Sequence, residues 1–332
     1  MKKNKTMIII ILCFLLILSS FSGILFGSVS IPPSDVLYSL TSKNAGSTAY
    51  TLITIVRIPR ILGGLFAGIG LACAGVILQG VMNNSLASPN TIGVNSGSGF
   101  AVMLAMMLFP ANTLLIPAFA FGGALFTSLT VFALAYLADT SRTTIILAGI
   151  TISSFLSAGI NTIKLLDAEI SINLTSFMMG SLSGLTTDKL AVPCICILAA
   201  FLIAMIFARP LNILSLGDDV AHSLGIHVPL IRFILLVIAS VMAGCVVSYA
   251  GLLSFVGLVV PHICRQLFGN DARFLLPCSA LLGGSFVILC DLLGRVLFAP
   301  FELPAGILMA FIGGPFFLYL LLKKKGGRRV NA

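Results

Sequence analysis

Hydropathy along the chain alternates long apolar runs with short polar breaks, and the runs lack the polar face of a helix lying on a soluble core. About 20 apolar residues are needed for a helix to cross the hydrocarbon core of a bilayer. The pattern predicts ten such spans, near 7–27, 58–82, 91–109, 114–138, 143–165, 190–208, 230–250, 256–268, 274–297 and 304–322, the eighth of them short. Segments 28–56 and 166–188 are polar enough to lie outside lipid on one side, and 209–229 forms the longest polar loop on the other. The predicted fold class is all-α: a polytopic membrane protein whose residues 1–332 make a single transmembrane domain. The first run follows Lys2, Lys3 and Lys5 as in a signal peptide, but no small-residue cleavage pattern follows it, so a retained span is expected.

Composition agrees with a bilayer. Of 332 residues, 58% are hydrophobic and 9% charged, where a soluble domain carries about 25% charged residues. The net charge of +9 is scattered over span ends and does not form a nucleic-acid-binding patch. Ten spans put both termini on one side. That side collects thirteen of the 19 basic residues, Lys2, Lys3, Lys5, Arg142, Arg209, Arg232, Arg265, Arg273, Lys323, Lys324, Lys325, Arg328 and Arg329. The other side holds the remaining six, Lys43, Arg57, Arg60, Lys164, Lys189 and Arg295, so the termini are predicted to be cytoplasmic. Acidic residues Asp35, Asp167, Glu169, Asp188 and Glu302 gather outside. The eight cysteines lie in apolar runs without a C-x-x-C pair and read as small buried hydrophobes; no metal set and no cofactor is expected.

The most informative stretch is Gly251 to Pro315. Pro261, His262, Arg265, Asp291, Arg295, Glu302 and Pro304 sit in or beside its spans, and each is costly in lipid. Ionisable groups and helix breakers at membrane depth point to helices packed around a pathway rather than to an anchor. Arg57, Arg60 and Arg295 lie on the side that should be poor in basic residues. Docking of an acidic soluble partner is one reason for them; snorkelling or local pairing is the other, and Asp291 stands at the i,i+4 spacing that would pair it with Arg295. On the inner side, Gly217 and Gly225 bracket a short predicted helix, Asp218, Asp219, Val220, Ala221, His222, Ser223 and Leu224, with acidic residues in its first turn. It reads either as a surface helix made to enter a partner's cleft or as a solvated linker. The second span is rich in small residues, the usual membrane packing device. Ala74-Gly75 and Ala243-Gly244 hint at an inverted repeat. No phosphate-cradling loop and no catalytic triad occurs, and His222, His227 and His262 make no ligand pattern, so an engine, if one is used, is on another chain.

Several segments together resemble the permease subunits of bacterial ATP-binding-cassette importers for iron–siderophore, heme and cobalamin. The matching pieces are RIPRILGGLFAGIGLACAGVILQGVMNNSLASPNTIGVNSGSG at 57–99, GDDVAHSLGI at 217–226, and VGLVVPHICR, DLLGR, ELPAGI and IGGPFF in order within 251–317. The resemblance covers nearly the whole chain. It implies ten helices, a second permease subunit (identical or not), two cytoplasmic ATPase subunits, an extracytoplasmic substrate-binding protein, and residence in the bacterial cytoplasmic membrane. It also implies that Arg57, Arg60 and Arg295 dock the binding protein, that Gly217–Gly225 couples to the ATPase, and that Asp139-Thr140-Ser141 belongs to the cytoplasmic gate. The family's N-P-L-A-x-P element reads Asn84-Ser85-Leu86-Ala87-Ser88-Pro89 here, which leaves the shape of that loop open. The expected function is import of an iron chelate by alternating access, with heme or cobalamin as alternative cargoes. An ion-coupled secondary transporter would need a mid-membrane carboxylate, which Asp291 alone approaches. A membrane enzyme would need clustered catalytic groups, which are absent from the pattern.

Overall fold

The structure, a computed structural model, describes residues 5–29, 31, 32, 34, 48–110, 112–138 and 141–326. Lys2, Lys3, Asp35, Lys43, Arg328 and Arg329 lie outside them, as do Asp139 and Thr140 of the expected gate. Among the described residues every element is helical. In chain order these are α1 (Lys5–Leu25), α2 (Thr48–Val81), α3 (Val94–Leu108), α4 (Ile116–Leu137), α5 (Arg142–Leu166), α6 (Ala168–Met179) and α7 (Thr187–Ile206). They are followed by α8 (Ala208–Leu214), α9 (Asp218–Ser223), α10 (Val228–Ala250), α11 (Val256–Phe268), α12 (Ala272–Val296) and α13 (Ala305–Gly326). Seven are long and apolar enough to cross a membrane, and α3, α11 and the first part of α13 are shorter apolar helices, so the ten expected spans are all present as helices.

Two expectations need correction. Segment 166–188 is not merely a polar interval: Asp167 accepts from the backbone N–H groups of Glu169 and Ile170 and starts α6. The cap starts the helix, and Ile170 and Leu174 one turn apart bury its inner face. Segment 28–56 is also helical from Thr48, because α2 runs back through a π-helical turn at Leu52–Arg57 before Pro59 occupies the start of its α-helical part. Thr54 Oγ1 donates to the Tyr50 carbonyl at 2.6 Å within this irregular entry.

Burial separates a centre from a periphery. The apolar windows of α2, α10 and α12 are 78%, 67% and 67% buried, against 17% for α1 and α5, which makes the first three the axis of the bundle. Their contact depends on residues without side chains. A Cβ on Gly68 would stand 2.1 Å from the Gly283 carbonyl oxygen, so α2 and α12 touch backbone to backbone. Gly75 meets the Gly257 carbonyl of α11 just as closely, while Gly244 meets only the side chains of Phe121 and Ala124. The two Ala-Gly pairs therefore do different work. Tyr249 Oη donates to the Gly63 carbonyl at 2.9 Å and ties α10 to α2.

The outer half contains non-helical backbone that is satisfied within the protein. Ser181 N donates to Ala250 O, Leu252 N to Phe177 O, and Gly306 N to Gly180 O, at 2.8–3.1 Å. These bonds join the end of α6, the break between α10 and α11, and the start of α13. Irregular backbone is tolerated at membrane depth on this condition. Phe255 opens α11 at φ +65, a left-handed conformation rare for an aromatic residue. At the inner end of α2, Ser85 does not prevent a closed turn: Asn84 Oδ1 accepts from Leu86 N, and Ala87 N donates to Asn84 O. A Ser88/Thr91 capping box then starts the turn before α3. Five cysteines are buried and the other three half-buried, all unpaired, in keeping with their reading as small hydrophobes.

Candidate functional site

Three places carry chemistry, one at each end of the bundle and one along its side. At the inner end, Gly217 (φ +126) and Gly225 (φ +78) adopt conformations that only glycine takes easily, and they bracket α9. Ala221 is buried and anchors the helix, while Asp219, Val220, His222, Ser223 and Leu224 are exposed. Asp218 does more than favour the helix dipole. It accepts from Arg142 Nη2 at 2.8 Å and from Arg232 Nη2 at 2.8 and 2.9 Å, and Arg142 also donates to the Leu214 carbonyl. One carboxylate thus joins α9 to the first residue of α5 and to the first turns of α10. Burial pushes the Asp218 carboxyl up, but the two guanidinium groups, Arg232 foremost, hold it below the ordinary carboxylate value. The sequence showed these three charges but not that they meet. Ser141, the one described member of the expected gate triplet, caps α5 by accepting from Thr144 N at 3.1 Å.

At the outer end, Arg57, Arg60 and Arg295 are brought together as a group, but inside the protein: they are 4%, 4% and 3% exposed. Arg57 donates to the carbonyls of Ile24, Leu25 (3.0 Å) and Val29, satisfying the free C-terminal end of α1. Arg60 Nε reaches both oxygens of Asp291 at 2.9 Å, and its Nη1 reaches Glu302 Oε2 at 2.7 Å. Arg295 Nε lies 3.2 Å from Asp291 Oδ2 across the expected i,i+4 step. Its Nε and Nη2 make no hydrogen bond among the described residues. Three cations thus face two carboxylates. Arg60 and Arg295 have the local acidic partners that the sequence left open as an alternative, while Arg57 bonds backbone carbonyls. Glu302, the most exposed member with a side chain 29% accessible, also accepts from Ser28 Oγ at 2.9 Å. Burial raises its carboxyl, while Arg60 and Ser28 hold it below its ordinary value.

Along the side, α5 exposes Thr151, Ser154, Ser157 and Asn161 at membrane depth. Thr151 and Ser154 return their hydroxyl protons to the carbonyls of Leu147 and Ile150. With Asn90, part of this face lines an open groove of about 520 Å³. A polar stripe on a lightly buried span suits a watered cavity or a protein partner better than acyl chains. The sequence reading left wall residues unchosen, because a 3.6-residue period does not say which face is covered. His227 Nδ1 accepts from Leu230 N at 3.4 Å as the cap of α10, and His262 pairs with Gln266. The described residues hold no group of three or more potential metal ligands.

Buried ion pairs at the outer end, a charged joint at the inner end and a polar stripe between them define a multi-pass membrane transport protein. The chain belongs to the FecCD transport family, whose model matches residues 12–323. It is 36% identical over 322 residues, 96% of each chain, to the Fe(3+)-citrate import system permease protein YfmE of Bacillus subtilis (strain 168). It is 33% identical to the hemin transport system permease protein HmuU of Yersinia pestis, covering 88% of this chain and 94% of that one. It is 37% identical to the cobalamin import system permease protein BtuC of Halobacterium salinarum, covering 82% and 74%. Among solved structures, an inward-facing metal-chelate-type ABC transporter superposes with a TM-score of 0.83 at 30% identity, covering 96% of this chain and 99% of that one. The protein is thus an ABC-transporter permease subunit of the cytoplasmic membrane and not itself an enzyme.

Proposed function

We propose that the cargo is an iron chelate of the siderophore type, and that residues 1–332 act as one permease domain beside a second permease subunit, two ATPase subunits and an extracytoplasmic binding protein. The observation that carries the cargo is the near end-to-end match, at 36% identity, to permeases named for iron uptake. The cargo would pass along the α5 stripe, where Thr151 and Ser154 already bond their hydroxyls to their own backbone and so offer a wettable wall with little grip. The test is uptake into proteoliposomes holding the complete transporter, with iron-loaded siderophore, heme and cobalamin in separate arms. Iron-dependent accumulation of the siderophore alone is expected; accumulation of heme or cobalamin in its place would overturn the reading.

Gly217–Gly225 is the segment we assign to the ATPase. Its exposed Val220 and Leu224 offer apolar contact to a partner, and Asp218 carries motion from α9 to α5. Ser141, with Asp139 and Thr140 before it, would form the inner closure, since it caps the same helix that Arg142 fastens to Asp218.

The outer cluster is assigned to docking through exchange of carboxylates. Arg57, Arg60 and Arg295 are too buried to meet a partner as they stand, but Glu302 is held at the surface by Arg60 and Ser28. An acidic side chain of the binding protein would displace it and use the unfilled donors of Arg295. Charge reversal of the buried arginines would test folding more than docking, so the informative change is Glu302→Gln. Tighter binding-protein association in that variant is expected; unchanged or weaker association would defeat the exchange.

A further inference from the structure

A charged pocket lies at the inner end beside α8. About 300 Å³ in size, it opens between the inner ends of α2 and α11, α8 and the start of α12. Arg265 forms part of its wall together with Asn83, Asn84, Ser85, Asn212 and Asn270. Buried Gln79 fixes the guanidinium: its Oε1 accepts from Arg265 Nη1, and its own Nε2 donates to the Gly257 carbonyl at 3.0 Å. Among the described residues Gln79 is the only hydrogen-bond partner of the Arg265 guanidinium, so Nε and Nη2 remain available.

The rest of the wall offers donors in the same way. Asn84 spends its carbonyl oxygen on Leu86 N at 2.9 Å, which leaves its amide N–H groups without a partner among the described residues. Asn83, Ser85 and Asn270 likewise have no side-chain partner among those residues. Asn212 donates to Asp271 and accepts from Ala272 N, and so holds the wall in place. The nearby carboxylate of Asp271 does not line the pocket and is taken up by Arg273 and Asn212. Its carboxyl is held at about 2, chiefly by the hydrogen bond from Arg273. A fixed guanidinium fork with two free N–H directions, ringed by amide and hydroxyl donors and without a lining carboxylate, matches an oxyanion.

We propose that this pocket binds a phosphate-type oxyanion at the cytoplasmic face, supplied either by an anionic lipid headgroup of the inner leaflet or by free phosphate. The bound anion ties the turn after α2 to α8 and α11. It is independent of the cargo and of the ATPase assignment.

The test uses the full-length chain in nanodiscs, with unfolding followed by the labelling of its buried cysteines. One arm titrates inorganic phosphate in neutral phosphatidylcholine discs at constant ionic strength. The other compares neutral discs with discs containing phosphatidylglycerol, without phosphate. A ligand that binds the folded state raises the unfolding midpoint in a saturable way. A rise in the first arm identifies free phosphate, a rise in the second identifies the lipid headgroup, and both should vanish in Arg265→Gln. Should that variant fail to fold, Asn84→Asp decides the matter. It keeps the oxygen that Leu86 bonds while adding a negative charge to the pocket, and should weaken the apparent affinity read from the midpoint titration about tenfold or more. No rise in either arm, or an equal rise in wild type and Asn84→Asp, overturns the proposal.

Discussion

The two mouths of this permease solve one problem in opposite ways. Outside, three arginines and two carboxylates are gathered in the interior and only Glu302 reaches the surface. Inside, a single carboxylate, Asp218, is 41% exposed and shared by Arg142 and fully buried Arg232. The outer cluster closes α1, α2 and α12 together, so its charges are mainly compensated within the chain. The inner joint belongs to a six-residue helix that presents most of its surface outward. Similar ion pairs thus make a buried clamp at one end and a partly exposed joint at the other. Burial, rather than the identity of the charges, decides which.

The largest effect should come from breaking the clamp. Arg60→Ala leaves Asp291 buried with only poorly aligned Arg295 beside it, and removing one partner of a buried pair costs about 3–5 kcal/mol. Thermal unfolding of the purified variant should show a large drop in midpoint, and a near-native midpoint would show that the outer end is not closed by this pair. Asp218→Asn should cost less folding stability than Arg60→Ala, because Asp218 is itself partly exposed, but lower transport about tenfold while ATP is still hydrolysed, because the joint between α9 and α5 is weakened. The check is transport and hydrolysis measured together in proteoliposomes, with Asp218→Glu restoring their ratio. An equal fall in both would make Asp218 merely structural.

Glu302→Gln should have a smaller effect, tightening binding-protein association by a fewfold, read as the dissociation constant at two salt concentrations. The smallest effect is pH-dependent. The carboxyls of Asp218 and Asp271 lie below their ordinary values in the folded chain, Asp271 at about 2. The unfolded chain therefore binds more protons, and stability rises with pH through that window. The contribution of these groups is complete above the ordinary carboxylate range and fades as pH falls through the lowered folded values. Unfolding midpoints of wild type and Asp271→Asn, compared from neutral pH downward, should draw together below the ordinary carboxylate range and converge only as pH nears 2.

Much of this was legible in the residues. Ten apolar runs gave ten helices because a bilayer leaves the backbone few other choices, and Gly217, Asp218 and Gly225 marked α9 because left-handed turns and first-turn carboxylates have local signatures. Asp291 and Arg295 declared their contact by spacing alone. The exceptions were tertiary. Helix α6 hid in a polar segment because its short buried face, Ile170 and Leu174, is too brief for a span and becomes core only through packing with distant helices. Arg57 was visible as an unexpected cation, but its carbonyl partners lie 28–33 positions earlier in the chain, beyond any local pattern. Arg60 meets Asp291 across 231 positions, so only packing could show that a charge suited to an outside partner already had one inside.

Helix α2 joins the outer cluster to the inner pocket. It holds Arg57 and Arg60 near its outer end and Gln79 near its inner end, and backbone contact at Gly68 and Gly75 leaves it little room to bend between them. From Arg60 to Gln79 the helix is about 29 Å long, so a tilt of about 5° around its middle moves its two ends by about 1 Å in opposite directions. A stiff rod resting on a glycine fulcrum behaves as a see-saw. Closing one mouth and loosening the other can then be a single motion, with no signal passed from side chain to side chain.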